Sequence, residues 1–247
     1  MPVKTTKSRP VRELQADVRT ALAWLERKST RRDRENLARF GIDAAGAFGV
    51  SMANIQALAK RLGQDHDLAL ALWETGRYEA RLLSAFVEEP GRVTPSQMDR
   101  WCRDFDNWGI CDTVCFKLFD RVPHAWAKVG KWGGQQDEFV KRAGFALLAS
   151  LALHDKRTSD KSFNDSLRLI ERGAADERNF VKKGVSWALR SIGRRNPALN
   201  AAAVALARRL AGSPRAAPRW VGRDALRDLT SPAVMRKLAV RRGAPRA

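Results

Sequence analysis

The sequence predicts an all-α protein, an α-solenoid built from stacked HEAT-like helical repeats. Three observations support this prediction. Apolar residues recur at helical spacing, and residues typical of helix starts and ends occur at intervals along the whole chain. In addition, one short segment recurs after 41 residues. The pattern typical of strands, a sustained alternation of β-branched residues bounded by turn residues, does not occur in the sequence. About a dozen helices joined by short connections are therefore expected.

Cap residues mark where several of the helices should begin and end. Ser51 opens an apolar-periodic segment that Gly63 closes, and Gly76 closes the next one. Three further helices should begin at a cap residue followed by proline: Thr94-Pro95, Asn196-Pro197 and Ser231-Pro232. Such a pair favours a helix start because the cap side chain accepts a hydrogen bond from a free backbone N–H, while proline has none to satisfy.

The recurring segment indicates how the helices are arranged. Phe139-Val140-Lys141-Arg142 returns as Phe180-Val181-Lys182-Lys183, and the two copies open predicted helices over residues 139–153 and 180–192. A period of about 40 to 47 residues is typical of HEAT-type repeats. Such repeats bury their apolar faces only against their neighbours, so a curved solenoid with a basic concave face is expected. Two unrelated amphipathic helices are the alternative explanation.

The chain is strongly basic, with 46 Lys and Arg against 27 Asp and Glu and a formal charge of +19. This excess indicates a nucleic-acid partner, because each phosphate that a cationic side chain neutralises releases condensed counterions. Basic residues cluster at both ends. The expected organisation is a basic flexible tail over 1–10, a repeat domain over 11–230 and a basic tail over 231–247. Tails that only improve solubility are the alternative.

The expected location is cytoplasmic and nucleoid-associated, and cysteine content and hydropathy support the cytoplasmic part. The three cysteines form an odd, clustered set, which argues for a reducing compartment, and they are expected to be core residues. No apolar run approaches the roughly 20 residues that span a bilayer, and the N-terminus lacks the apolar core of a signal peptide. The histidines show no ligand spacing relative to the cysteines. We expect a monomer with no metal, no cofactor and no membrane contact.

The candidate chemistry is concentrated between Asp104 and Asp120. Three carboxylates and Trp108 fall within nine positions of an otherwise basic chain. Trp108 and Asp112 are four residues apart, so they share one face of a helix. An acid beside an aromatic ring is suited to stabilising a cation. Asp104 and Asp106 are expected to cap or close the preceding helix, which leaves Asp112 as the candidate acid.

These segments resemble the AlkD-type alkylpurine DNA glycosylases, a bacterial DNA alkylation-repair family built from HEAT-like repeats. The resemblance covers roughly residues 10–230 and is carried by NWGICD, EFVKRAGFALL and NFVKKGVSWALR. It implies that four residues line a DNA-facing cleft: Trp108, Asp112, Arg142 and Trp187. A further aromatic position of the family is similar to Phe40, where the family pattern has tyrosine, and Gly109 stands where an acid can occur.

The chemistry that this resemblance implies is the hydrolysis of an N-glycosidic bond. Alkylation at N3 or N7 makes a purine cationic and weakens its bond to the sugar, so the base leaves as a neutral molecule without a general acid. It leaves an oxocarbenium-like deoxyribose, which Asp112 would stabilise while orienting the attacking water. Trp108 and Trp187 would cradle the charged sugar through their ring faces. No lysine is placed to form a Schiff base, so the expected activity is a monofunctional DNA glycosylase of base excision repair, acting on duplex DNA.

The remaining candidate residues are expected to contact DNA. Arg142 should clamp a flanking phosphate, and Phe40 should contact DNA through its ring. The other candidates are basic residues in and after the two recurring segments, namely Lys141, Lys182, Lys183, Arg190 and Arg194. A solvated helix face is the alternative explanation for them. Two other functions stay open, namely a non-catalytic repeat protein that binds damaged or branched DNA and a protein–protein scaffold. The resemblance also implies that the lesion can stay stacked rather than be extruded.

The eight tryptophans divide into two groups. Trp108 and Trp187 are assigned to the cleft through the resemblance. The other six are expected to be core or structural residues, because a tryptophan is more often buried than functional: Trp24, Trp73, Trp101, Trp126, Trp132 and Trp220.

Overall fold

The computed structural model describes residues 10–43 and 45–243. Regular structure in these ranges consists of fourteen α-helices and one 3₁₀ turn, and the same ranges contain no strand. The all-α prediction is confirmed. Nearly all of the N-terminal tail predicted over 1–10 lies outside the described residues.

The chain divides into two compact units between Val93 and Thr94, and five helices belong to the first unit. They are α1 (Val11–Arg27), α2 (Arg31–Arg39), α3 (Met52–Leu62), α4 (His66–Glu74) and α5 (Tyr78–Val87). Helices α1, α3, α4 and α5 contact one another around a core that includes Leu25, Ile55 and Trp73, all fully buried. Gly63 and Gly76 follow α3 and α4 with left-handed φ angles of 73° and 68°, as their predicted role in ending helices requires.

The second unit contains the other nine described helices. They are α6 (Pro95–Arg103), α7 (Trp108–Lys117), α8 (Ala125–Gly133), α9 (Glu138–His154), α10 (Asp160–Gly173), α11 (Asn179–Gly193), α12 (Pro197–Ala211), α13 (Ala216–Leu229) and α14 (Pro232–Gly243), and the 3₁₀ turn spans Phe119–Arg121. Helices α7, α9, α11 and α13 contact one another in that order, and we call them the central row. Helices α8, α10 and α12 pack against α9, α11 and α13 respectively. This is the arrangement of stacked helix pairs.

The recurring segments occupy matching places in this stack. The predicted helices over residues 139–153 and 180–192 correspond to α9 and α11, each within one residue at both ends. The rings of Phe139 and Phe180, the first residues of the two copies, lie with their centroids 5.5 Å apart. The prediction of helical repeats is therefore confirmed, because the two copies are neighbours in space and not merely similar in pattern.

Two glycines set the closest approach inside the helix pairs. A Cβ atom on Gly144 of α9 would lie 2.3 Å from the backbone nitrogen of Gly133 in α8. A Cβ atom on Gly222 of α13 would lie 2.2 Å from the backbone nitrogen of Ala211 in α12. Real Cβ atoms do not approach so closely, so both pairs pack backbone against backbone at positions that only glycine can occupy.

A mostly buried acid, Asp99, links α6 to α8. Its carboxylate contacts the side chains of three α8 residues, Lys128 at 2.7 Å, Lys131 at 2.8 Å and Trp132 at 2.9 Å. Burial by itself would raise the pKa of Asp99, but these hydrogen bonds outweigh it and lower the pKa to about 2. The acid is therefore ionised in the folded protein at any pH well above that value.

The C-terminal segment differs from the tail predicted over 231–247. Pro232–Gly243 forms α14, with Val234 and Leu238 buried. The Val234 N–H donates to the Ser231 hydroxyl at 3.4 Å, so the cap and proline at 231–232 do begin a helix. The segment is helical because these two apolar residues lie one turn apart and bury against the unit, although the residues around them are basic.

Three properties of the described residues bear on the expected environment. None of the helices in the described ranges is both long and apolar enough to cross a membrane. All three cysteines are buried and form no disulfide, and burial raises the pKa of the Cys102 and Cys115 thiols. Within the same ranges, no group of three or more His, Cys, Asp or Glu side chains is placed to hold a metal ion.

Candidate active site

The start of α7 places the candidate acid. The Asn107 side-chain oxygen accepts a hydrogen bond from the Ile110 N–H at 3.0 Å, so the helix begins at Trp108. Trp108 and Asp112 then lie one turn apart, as predicted, and both are half-buried. The next residue on the same face is Phe116, also half-buried.

The two preceding acids serve helix ends, as expected. Asp104 is the C-cap residue of α6. Asp106 accepts a hydrogen bond of 2.7 Å from the side chain of Asn107, the residue that caps α7. Asp112 therefore remains the candidate acid of this stretch.

Asp112 forms a bidentate ion pair with Arg142 of α9. The Arg142 Nε donates to Asp112 Oδ1 at 2.9 Å, and Nη2 donates to Oδ2 at 2.6 Å. The remaining terminal nitrogen, Nη1, donates to the Phe180 carbonyl of α11 at 2.5 Å. The exposed fraction is 7% for the Arg142 side chain and 21% for that of Asp112. One guanidinium therefore joins three helices of the central row and holds the acid in a single orientation.

The sequence predicts that Arg142 clamps a flanking phosphate, and the structure shows its guanidinium engaged within the protein. Three of the five guanidinium N–H groups donate to protein oxygens, and the side chain is only 7% exposed. Burial lowers the pKa of Arg142, but the charge and hydrogen bonds of Asp112 outweigh burial and raise it. Arg142 thus stays positively charged and holds Asp112 in place.

Two opposing effects act on the charge of Asp112. Burial raises the pKa of its carboxyl, and the charge and hydrogen bonds of Arg142 limit that rise. Both carboxylate oxygens accept from the guanidinium, and this pairing favours the ionised form. The site therefore holds a negative charge that is fixed in position and only partly screened by solvent.

Asp112 and Arg142 line an open cavity of about 430 Å³, which we call the first cavity. The other lining residues come from α11 and α13: Lys183, Trp187, Arg190, Trp220 and Asp224. A carboxylate, two indole rings and several cations thus converge within the second unit. Such a combination can stabilise a cationic sugar while attracting the phosphates on either side of it.

Asp224 organises the α13 side of the first cavity. Its carboxylate accepts a hydrogen bond of 2.6 Å from the Ser186 hydroxyl of α11. It also lies 3.6 Å from the Arg190 guanidinium and 2.6 Å from that of Arg227. The acid therefore holds Arg190 near the cavity while its own charge is compensated by two arginines.

The two predicted tryptophans differ in their relation to this cavity. Trp187 lines it and also stacks against Phe116, with ring centroids 6.3 Å apart and an interplanar angle of 25°. Trp108 is one turn from Asp112 on α7 but is not among the lining residues of the first cavity. The structure thus brings Trp187 together with Asp112 across helices, and Trp108 only along the same helix.

The predicted DNA-contacting cations are also divided. Lys183 and Arg190 line the first cavity, and the Lys182 ammonium lies 5.4 Å from the centre of the Trp220 ring. Lys141 instead pairs with Asp176 at 3.0 Å and is only 17% exposed. Arg194 pairs with Asp228. Phe40 is 62% exposed and belongs to the first unit.

Trp220 lies outside the core. The sequence predicts a core or structural residue, but Trp220 is 37% exposed and lines the first cavity. Three of the other tryptophans expected in the core, Trp73, Trp101 and Trp132, are indeed buried, and Trp24 and Trp126 are half-buried. The 41-residue period could have pointed to this part of the site. Two steps of 41 residues lead from Arg142 to Lys183 and then to Asp224, which lies on the same helix as Trp220. Phe116 could likewise have been found as the next residue four positions after Asp112.

Fold and site together define a helical-repeat protein with an acid, aromatic rings and cations gathered on its central row. A family model described as DNA alkylation repair enzyme matches residues 21–229. The chain therefore belongs to the DNA alkylation repair enzyme family. The resemblance carried by the three sequence segments is confirmed at this level.

One solved structure gives a close match in fold. It is described as "A new family of proteins related to the HEAT-like repeat DNA glycosylases with affinity for branched DNA structures", and the match has a TM-score of 0.71 and 22% identity over 77% of this chain and 82% of that chain. This likeness shows that the fold is a HEAT-like repeat fold. A comparison with curated protein sequences gives no significant match.

Two designed armadillo repeat proteins match with much lower scores. One, in complex with the peptide (KR)4, has a TM-score of 0.36 and 11% identity over 76% of this chain and 80% of that chain. The other has a TM-score of 0.38 and 15% identity over 91% and 96%.

Proposed function

We propose that this protein is a monofunctional DNA glycosylase that hydrolyses the N-glycosidic bond of N3- and N7-alkylated purines in duplex DNA. The observation that carries the proposal is the Asp112 carboxylate, held by Arg142 in a cavity that Trp187 also lines. Membership of the DNA alkylation repair enzyme family supports it. A protein that only bound DNA would gain little from a fixed carboxylate in a cavity that faces a polyanion.

The reaction needs little from the protein beyond charge stabilisation. An N3- or N7-alkylated purine is already cationic, so it departs as a neutral base without being protonated. The deoxyribose left behind carries positive charge in the transition state. Asp112 stabilises that charge, and because its orientation is fixed by Arg142 it does not have to reorganise during the reaction. The same carboxylate can orient the water that attacks the sugar.

Indole rings add to this stabilisation. The face of a tryptophan attracts a cation by about 0.5–2 kcal/mol, and the attraction grows as the sugar gains charge. Trp187 of α11 and Trp220 of α13 line the first cavity, and Trp108 lies one turn before Asp112. In this proposal the rings favour the transition state over the ground state, since only the former is cationic at the sugar.

Cations near the first cavity bind the DNA backbone in this proposal. Lys183 and Arg190 line the cavity, and Lys182 lies over the Trp220 ring. Each phosphate they neutralise should add about 0.9 to the slope of log affinity against log salt concentration. The protein would act as a monomer without a cofactor, on nucleoid DNA in the cytoplasm, and leave an abasic site.

Release of free bases from methylated duplex DNA tests the proposal. Wild-type protein should release 7-methylguanine and 3-methyladenine, and Asp112→Asn should lower the rate by about 10²–10³-fold, the usual cost of removing one preorganised electrostatic group. Asp165→Asn is the matched control, because Asp165 is an exposed acid on α10 paired with Lys161. No release by the wild type would refute the enzyme function. Undiminished release by Asp112→Asn would refute the role of Asp112.

A second candidate function is favoured by the fold match. The matched structure belongs to proteins described as having affinity for branched DNA structures, so a non-catalytic protein that binds branched DNA is the alternative. That alternative predicts no base release, together with binding that is tighter to a branched junction than to a duplex of equal length. A protein–protein scaffold would show neither base release nor salt-dependent DNA binding.

A further inference from the structure

A second cavity shares a side chain with the candidate active site. It has a volume of about 770 Å³ and is lined by residues of α7, α9, α11, α13 and α14. Trp187 lines this second cavity as well as the first. Phe116, which stacks against Trp187, lines the second cavity only. A ligand in the second cavity would therefore meet Trp187, which also borders the proposed reaction site.

The lining of the second cavity combines aromatic, hydroxyl and cationic side chains. Phe116 and Trp187 are half-buried and both line the cavity, and the Phe116 ring also contacts His154, with centroids 4.5 Å apart. Ser191 and Ser231 offer hydroxyl groups, which both donate and accept hydrogen bonds. Four cationic side chains and one acid, Asp228, complete the charged lining. This excess of positive charge selects an anionic ligand.

Three of the four cations have structural partners. Lys156 donates from Nζ to the Leu153 carbonyl. Arg194 pairs with Asp228. Arg195 donates from Nη1 to the carbonyls of Ala152 and Asp155 at 2.8 and 2.7 Å, and its guanidinium lies 3.9 Å from the centre of the Phe163 ring. The contacts of the two arginines tie the segment that follows α11 to α9, α10 and α13. They leave the charge of Lys237 on α14 as the one best placed to meet a ligand.

Lys237 is exposed at the edge of the second cavity. No ion pair to it occurs among the side chains that the structure describes. It sits one turn after Ala233, which is also exposed and also lines the cavity. Helix α14 thus presents an anion-binding group and a small residue to the cavity on one face.

We propose that the second cavity binds one unpaired nucleotide of a DNA strand, with the base against Phe116 and Trp187 and its phosphate at Lys237. The volume is within the range of about 300–1,000 Å³ typical of small-ligand sites. Every base has a face that can stack on an aromatic ring, so binding of this kind tolerates any sequence. A base held in a duplex stack cannot enter, and the ligand is therefore an unpaired nucleotide at a branch, a flap or a strand end.

This inference rests on the DNA binding in the proposed function but not on base excision. Hydrolysis at Asp112 uses the first cavity, whereas the unpaired nucleotide occupies the second. The test therefore uses undamaged DNA, so that its failure leaves the glycosylase proposal standing and the failure of base release leaves this one standing.

The experiment compares two undamaged DNAs with the full-length protein. One is a blunt duplex, and the other is the same duplex with a flap of one 2-aminopurine nucleotide. We expect at least about 5-fold tighter binding of the flap DNA, the lower end of what one base–aromatic stack contributes. We also expect quenching of 2-aminopurine fluorescence, because the base stacks on an indole ring.

Matched variants identify the cavity. Ala233→Phe fills the second cavity from an exposed position and should abolish both the preference and the quenching, whereas Ala201→Phe, at an exposed position on α12 outside the cavity, should keep them. Lys237→Ala should reduce the preference for flap DNA, whereas Arg236→Ala should not, because Arg236 is exposed but does not line the cavity. This second pair of variants keeps the test valid if Ala233→Phe fails to fold. Equal affinity for the two DNAs, or a preference that survives Ala233→Phe and Lys237→Ala, would overturn the proposal. Competition by free deoxyadenosine monophosphate as strong as that by flap DNA would overturn it too, in favour of a free nucleotide.

Discussion

Arg142→Met is the substitution whose effect follows most directly from the structure. Methionine keeps most of the length and apolar character of the arginine stem but removes the cation from Asp112. The Asp112 side chain would stay only 21% exposed and would lose both of the guanidinium N–H groups that donate to it. The Phe180 carbonyl would lose its hydrogen bond from Nη1. The substitution therefore isolates the ion pair from the packing around it.

The geometry sets the size of the effect. Breaking a buried ion pair by removing one partner costs about 3–5 kcal/mol, mainly because the other charge is left without compensation. The 21% exposure of the Asp112 side chain lets water solvate part of that charge, so we expect a value near the lower end, about 3 kcal/mol. Asp112→Asn combined with Arg142→Met should cost less than the sum of the single changes, with a coupling energy of about 2 kcal/mol.

Urea unfolding followed by circular dichroism measures this loss, since a domain is stable by only about 5–15 kcal/mol. A second measurement separates positioning from phosphate binding. If Arg142 positions Asp112, the slope of log DNA affinity against log salt concentration stays unchanged in Arg142→Met, whereas a phosphate clamp would lower it by about 0.9. A loss of stability under about 1 kcal/mol, additivity in the double variant or a reduced slope would each contradict this account.

Two further predictions concern the missed ring and the buried acid. Trp220→Ala should weaken DNA binding by about 5-fold or more, because it removes a stacking and cation-binding surface. The control is Trp24→Ala, which removes a ring with Lys28 over it in the first unit and should leave DNA binding unchanged. Filter binding compares the two variants, and equal affinities would argue against Trp220 as part of the site. Asp99 has a lowered folded-state pKa of about 2 against an ordinary 3.8, so its contribution of about 2 kcal/mol is fully present above pH 3.8 and is lost as the pH falls towards 2. Asp99→Asn should remove that part of the pH dependence of unfolding, and an unchanged acid limb would show that the acid does not contribute.

Much of the secondary structure and part of the site could be predicted from local sequence. The limits of α9 and α11 follow from apolar spacing. The helix starts at Thr94, Asn196 and Ser231 follow from cap side chains, each of which accepts a hydrogen bond from the backbone N–H three residues later. The single turn between Trp108 and Asp112 is equally local, because helical geometry alone places residues four apart on one face.

The sequence by itself therefore determined the all-α class, the repeat and the face of α7 that carries the acid. Only the tertiary structure decided that Arg142, 30 residues from Asp112 in the chain, pairs with it instead of facing solvent, and that Trp220 borders the first cavity. These outcomes depend on how closely neighbouring helices approach and on which side of each meets the next. That geometry is fixed by contacts such as Gly144 against Gly133, between residues on different helices, which periodicity within one helix does not encode.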